Sequence, residues 1–346
     1  MRVRKNFMDI AYAGYITNDE IRMKSSSGGM FSAFTQEILK DNNGIVYGIC
    51  EFEDKLTFIR ATSWDLIEKM RGSKYYQADT TTLNVELLLK DIKEKKRVLI
   101  IGTSCQIGMF YAVIKSFFKE IPNNIILIGL ICHGVGSKKY IDRYRKEIER
   151  KNKKKLIMHS FRNKKNDRIS SNFSKYIYMD NTIIECENEK DYYMRCFYGD
   201  FILRPSCYNC SYAGNKGYAD ILIGDFNGSE RVIKNYPDSV KSISSIIVKT
   251  EKGKKFLEAV SNNGLCKLKK TSFDLIAEQN LPLRFPSKKP IIRKYMFYLI
   301  DKIGFINAVK IVTIKYYIKL IILSIGGEKI LKVVKKIFKR KTIIQH

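Results

Sequence analysis

Histidine is scarce in this chain of 346 residues: His133, His159 and His346 are the whole complement. A Ser-His-Asp hydrolase or a histidine-rich zinc catalyst therefore has few parts to work with. Proline is sparse too, at six, and the twenty-one glycines form no Gly/Ser-rich tract, so no flexible linker marks a domain boundary. No fixed-period repeat is visible, which excludes solenoid and propeller readings. The apolar segment 311–323 is flanked or interrupted by Lys310, Lys315 and Lys319, leaving nothing like the span of about twenty apolar residues that crosses a bilayer. The basic start, Met1 to Asn6, is not followed by an apolar run and a cleavage site, so a cytoplasmic protein is expected.

What is present is apolar matter and positive charge. Hydrophobic residues make up 45% and aromatics 12%, enough to build a large core. Sixty-three Lys and Arg against thirty-five Asp and Glu leave a net charge of +28. Half of it lies in residues 284–346, where sixteen basic residues face only Asp301 and Glu328. Such a balance suits anionic lipid or a small acidic electron carrier. Nucleic acid is not expected, because the lysines are not interleaved with a recognised binding motif.

Helical and strand patterns alternate through the first half: a helix over 30–40, a strand over 44–50, a helix over 80–95 and an apolar strand over 97–102. A helix over 107–119, a strand over 125–131 and a helix over 138–151 repeat the pattern. Beyond residue 156 short strands follow at 156–161, 173–179 and 182–186, then a helical stretch to 199 and strands at 219–223 and 243–250. The expected fold is α/β to α+β, a mixed sheet with flanking helices and a helical C-terminal tail.

Eight cysteines in a reducing compartment should not form a disulfide framework; near turns they more often serve metal binding or redox chemistry. Cys105 and Cys132 each follow an apolar strand, where α/β sheets assemble their sites. Cys207 and Cys210 form a CxxC, and with the first two they supply the four thiolates of an iron–sulfur cluster. A four-thiolate zinc fits the same ligands. A thioredoxin-like role for the CxxC is weaker, because Pro205 and Gly214 around it suggest a loop and not the start of a helix. Cys50, Cys186, Cys196 and Cys266 lie in or beside regular elements and read as small buried hydrophobes. His133, next to Cys132, is the candidate for tuning the metal or moving a proton.

Ser25, Ser26, Ser27, Gly28 and Gly29 run straight into a helix, where backbone N–H groups and hydroxyls can hold a phosphate or simply cap the helix. Arg71, Gly72, Ser73, Lys74 and Tyr75 place two cations around a glycine turn, a second contact for an acidic cofactor.

Taken in order, the stretches SSSGGMF (25–31), RGSKYYQ (71–77), GTSCQ (102–106), CHGVG (132–136), the CxxC and ADILIGDF (219–226) resemble the coenzyme F-420 hydrogenase and dehydrogenase beta-subunit family. That family includes bacterial members and a chlorophyll-cycle reductase, and the resemblance covers residues 12–256. It implies an oxidoreductase with FAD and a [4Fe–4S] cluster bound by Cys105, Cys132, Cys207 and Cys210. It also implies that the 25–29 and 71–75 segments, with Thr103 and Asp225, stand near the flavin or its partner substrate.

Three departures qualify the likeness. The ferredoxin domain with CxxCxxCxxxCP runs that bacterial relatives often carry is absent, so a separate ferredoxin-like donor is expected. Ser104 replaces a usual proline, and Asn227 replaces the tryptophan that commonly follows GDF, which implies a looser cysteine loop and a less aromatic pocket. The Lys, Ile and Asn-rich composition suggests a host of low genomic GC content that need not make the deazaflavin, so the small-molecule acceptor is a deazaflavin or, from the company such bacterial relatives keep, a polysaccharide precursor. The alternative is a non-enzymatic, four-cysteine metal scaffold that anchors polysaccharide-biosynthesis enzymes at the membrane. The expected division is a redox domain over 1–285 and a basic amphipathic tail over 286–346. In the tail, Lys332, Lys335, Lys336 and Lys339 lie opposite Ile330, Val334 and Ile337, a pattern suited to the inner face of the cell membrane.

Overall fold

The computed structural model describes residues 9–52, 55–165, 172–233 and 242–313. Its strands, in chain order, are β1 (Ile10–Ile16), β2 (Gly44–Phe52), β3 (Lys55–Ala61), β4 (Arg97–Thr103), β5 (Ile125–Leu130), β6 (Leu156–Asn163), β7 (Phe173–Tyr178), β8 (Ile183–Glu187), β9 (Ile221–Asp225), β10 (Ser244–Val248) and β11 (Cys266–Thr271). Eight of them form one sheet in the order β11-β1-β10-β9-β5-β4-β2-β3. The middle strands β9, β5, β4 and β2 run parallel, and antiparallel strands complete both edges.

The near-continuous apolar runs of β4 and β5 follow from this central position, because a parallel strand covered on both faces has no solvent side. Val98, Ile100, Ile125 and Leu127 pack under the helices Val85–Lys93 and Ser104–Phe117. Their neighbours Leu99, Ile101, Ile126 and Ile128 pack on the other face, under Met30–Leu39 and Glu251–Asn262. The period-two alternation of side chains thus feeds two cores from the same strands.

A second, three-stranded sheet, β6-β7-β8, has a different core. Tyr144, Phe161, Tyr176, Tyr178, Tyr193 and Phe197 are buried there together with Met296, Leu299, Phe305 and Val309. The helix Arg293–Ile303 and the helical residues 305–313 are therefore packed into the body of the protein. Beyond residue 313 the apolar segment and the amphipathic lysine pattern lie outside the described residues. Among the described residues no helix is long and apolar enough to cross a membrane.

Two differences from the sequence-based expectation bear on the site. The helix after β4 begins at Ser104, because Thr103 and Gln106 form a capping box in which Gln106 Oε1 accepts the Thr103 N–H at 2.8 Å. Cys105 consequently stands in the first helical turn and not in a loop. The expected 80–95 helix starts instead as a 3₁₀ turn, Thr80–Thr82, before Asn84 caps Val85–Lys93.

Candidate functional site

Parallel pairing brings Thr103 of β4 opposite Leu130 of β5, so the chain leaves both strands at the same edge. Cys105 and Cys132 emerge there, and the 3₁₀ turn Pro205–Asn209 carries Cys207, with Cys210 just after it. All four line one cavity of ≈ 420 Å³. Cys105 is exposed, and the other three are partly buried. The CxxC is in a short 3₁₀ turn, which is not the helix start of a thioredoxin-like motif.

The thiols feel one another. Burial pushes the Cys132 thiol up to about 12, and the neighbouring Cys105, Cys207 and Cys210 add to the rise. Burial also raises Cys207. Two backbone groups act in the opposite sense: that of Gly134 lowers the Cys132 thiol and that of Val135 lowers the Cys207 thiol. Thr103 Oγ1 lies 3.2 Å from Cys105 Sγ, which puts Thr103 on this cavity. Among the described residues no three His, Cys, Asp or Glu groups converge on a point for a single metal ion. The fit is that of sulfur donors spread around the walls of one cavity, with the Thr103 hydroxyl beside one of them.

His133 lines the same cavity. Its Nε2 is 2.7 Å from Asp200 Oδ1, and its ring is 5.2 Å from that of Phe197. Gly134 requires its lack of a side chain: its φ is +149°, and a Cβ would fall 2.8 Å from Leu203 Cδ1.

The two segments singled out as cofactor contacts meet each other elsewhere. The Ser73 N–H donates to Ser26 Oγ at 3.0 Å. Arg162 Nη1 donates to Asp225 Oδ2 at 2.6 Å and reaches the Tyr75 hydroxyl at 3.3 Å, while its Nη2 donates to the Ser26 carbonyl at 3.2 Å. Arg162 thus ties together the 25–29 loop, the 71–75 turn and the end of β9. Burial works against its charge, but Tyr75 and Asp225 hold the guanidinium well above its ordinary range.

Several polar groups at this junction already have partners. Ser25 and Ser27 donate to the carbonyls of Ile21 and Ile243. The Lys74 ammonium donates to the carbonyls of Met70, Arg71 and Gly72, and burial lowers it to about 8. Gly29 adopts φ +84° as the helix cap. Arg71 is only partly satisfied: its Nη2 donates to Glu68 Oε1 at 3.4 Å, but the side chain is only 8% exposed, its Nε has no hydrogen-bond partner, and Gly72 beside it faces open space. An orphaned buried donor next to open space fits an acidic group such as a pyrophosphate.

Arg162 carries no motif in the sequence. Its signal is conformational: a φ of +60° and a register shift between Ser160 and Asn163 where β6 pairs with β7. Bulges and strained non-glycine residues of this kind gather at functional sites. One loop joins the two places. Residues 132–136 start at the cavity with Cys132 and end at Gly136, whose N–H donates to the Tyr75 carbonyl at 3.2 Å. Phe197 spans them as well, 5.2 Å from the His133 ring and 4.5 Å from that of Tyr75.

A mixed α/β fold with a four-thiol cavity at the strand ends defines the class. The family model for the C terminus of the coenzyme F420 hydrogenase/dehydrogenase beta subunit matches residues 95–273. That is more than half of the chain, and the chain belongs to this family, which makes it hydrogenase/dehydrogenase-like and of the oxidoreductase class. Fourteen chains of solved structures match. One comes from the F420-reducing [NiFe] hydrogenase complex of Methanosarcina barkeri, at TM-score 0.53 and 15% identity, covering 82% of this chain and 92% of that one. At that identity the likeness shows a shared fold. No curated protein matches the sequence.

Proposed function

We propose that the chain is a cytoplasmic iron–sulfur flavoprotein oxidoreductase that takes electrons from an external ferredoxin-like carrier and delivers them in pairs to a small-molecule acceptor, a deazaflavin or a polysaccharide precursor. Cys105, Cys132, Cys207 and Cys210 hold a [4Fe–4S] cluster, and FAD lies against the 25–29 loop, the 71–75 turn and Asp225. The observation that carries this reading is the convergence of these four cysteines, out of eight, on one cavity. When bound, the cluster supplies single-electron transfer and the flavin couples two such transfers.

The chain's own groups have definite tasks in this scheme. The backbone at Gly134 and Val135 acts to ease negative charge on the Cys132 and Cys207 sulfurs. Arg71 offers its unpartnered Nε to an anionic part of the flavin. Arg162, fixed by Asp225, positions the loops and places positive charge beside the pocket. The 132–136 loop and Phe197 keep the two places a few side chains apart.

Iron, acid-labile sulfide and flavin analysis of protein prepared without oxygen tests the proposal. The expected result is coloured protein with iron and sulfide in equal amounts and FAD bound. Colourless protein with stoichiometric zinc overturns it in favour of the scaffold reading.

A further inference from the structure

One wall of the thiol cavity comes from the segment 281–289. Pro282, Leu283, Pro286 and Ser287 line the cavity. The segment is anchored at both ends: the Gly214 N–H donates to the Pro282 carbonyl at 3.0 Å, and Ser287 Oγ donates to the His133 carbonyl at 2.6 Å. Between and beside these anchors the chain presents side chains to solvent. Leu281 and Phe285 are each 64% exposed, and Arg284, Lys288 and Lys289 reach solvent beside them.

Two more cations stand at or near the cavity. Arg204 lines the cavity, and the Lys216 side chain lies beside Gly214. Arg284 is 3.6 Å from Asp274, whereas Lys216, Lys288 and Lys289 have no carboxylate partner among the described residues. The exposed thiol of the four, Cys105, opens onto the same cavity.

We propose that this rim is the docking surface for a small acidic electron-carrier protein, seated with its redox centre toward Cys105. The inference rests on the reading of the thiol cavity as the cluster site and adds the partner and its place. Two exposed apolar side chains among cations have the composition of a transient interface, with an apolar centre and a charged rim. Redox encounters are small, typically below about 1,200 Å², so one segment and its neighbours suffice. Unneutralised cations around the mouth steer an acidic partner and set its orientation. Each encounter moves one electron: the carrier's reduced iron–sulfur centre is oxidised, the group held by the thiols is reduced, and no bond forms or breaks. An anionic bilayer also attracts lysines, but these sit on two separate loops whose neighbouring residues Asn215 and Ser287 line the cavity, instead of lying along one helix face, which favours a compact partner.

The test uses the full chain with Lys216→Glu, Lys288→Glu and Lys289→Glu combined, and an acidic ferredoxin with two [4Fe–4S] clusters as probe. Calorimetric titration with the oxidised ferredoxin should show binding at least about ten-fold weaker in the variant than in the wild type. Wild-type binding should also weaken between about 50 and 300 mM salt. Dithionite, a small reductant, should reduce both proteins at the same rate. Equal ferredoxin affinity in variant and wild type overturns the proposal. So does a variant that loses only binding to anionic vesicles, which would assign the patch to lipid. Because the titration reads binding, it is separable from iron content: iron-free protein that still binds ferredoxin through these lysines keeps the docking surface while refuting the cluster reading.

Discussion

The thiol cavity and the Arg162 junction lie at opposite ends of the same short loop, 132–136, and they are built on different principles. The cavity takes Cys105 and Cys132 from just past the ends of two parallel strands, Cys207 from a 3₁₀ turn and Cys210 from just after it, so its chemistry resides in residue type. The junction takes its order from one half-buried ion pair, Arg162 with Asp225 at 2.6 Å, between segments more than sixty residues apart. A site built from reactive side chains can be altered one residue at a time with little effect on the fold. A site held by a half-buried ion pair couples binding to stability, because removing one partner leaves the other's charge without its match.

Substituting the cavity thiols should give the largest effect. Cys132→Ser and Cys207→Ser should each cut bound iron by about ten-fold or more, read by iron and sulfide assay. Cys50→Ser and Cys266→Ser, which alter buried cysteines away from the cavity, should cost stability of about 1–3 kcal/mol with iron retained. Equal iron in all four variants would erase the distinction between the cavity and the rest of the chain.

At the junction, Arg162→Gln should lower the stability of the chain by about 1–3 kcal/mol, since the half-buried Asp225 loses its charged hydrogen bond. It should reduce bound flavin while leaving the iron content near that of the wild type. Urea unfolding and the flavin-to-iron ratio measure the two parts, and parallel loss of iron and flavin would show the two places to be one unit. Arg71→Ala should act on flavin alone, weakening its retention about ten-fold, the worth of a charged hydrogen bond of about 1.5–3 kcal/mol. Unchanged flavin affinity would remove Arg71 from the pocket.

The smallest effect concerns the aromatic core behind the junction. His159 is buried among Tyr176, Phe161 and Tyr193, 3.6 Å from Asp191, and burial depresses its pKa below the ordinary 6.5. The unfolded chain therefore takes up a proton below pH 6.5 that the folded chain refuses, and stability falls as the pH drops from 6.5 toward the folded value. His159→Phe should reduce that acid sensitivity. Urea midpoints at pH 7 and pH 5.5 that shift equally in variant and wild type would contradict this.

The same contrast explains what can be read from sequence. The apolar runs of β4 and β5 announce buried parallel strands, and the cysteines just beyond them announce a site, because both signals are local. β11 is not legible: in CKLKKT three lysines mask the alternation, as befits an edge strand that pairs only with β1. β1 is hidden because its small residues, Ala11, Ala13 and Gly14, give little hydrophobic contrast. The Ser/Gly run and the Arg71 turn stand out as separate segments, but their meeting through Ser26 and Ser73 depends on tertiary packing. Arg162 escapes notice because its role comes from a bulge and a distant carboxylate, neither of which leaves a spacing to recognise. The family resemblance groups Thr103 with the flavin contacts, yet its hydroxyl faces Cys105.

The most direct test of the central claim is electron paramagnetic resonance of the anaerobically prepared, dithionite-reduced protein. The account predicts a fast-relaxing S = 1/2 signal of a reduced [4Fe–4S] cluster, integrating to roughly one spin per chain and absent from Cys132→Ser. A silent spectrum from wild-type protein that carries zinc in place of iron would contradict it.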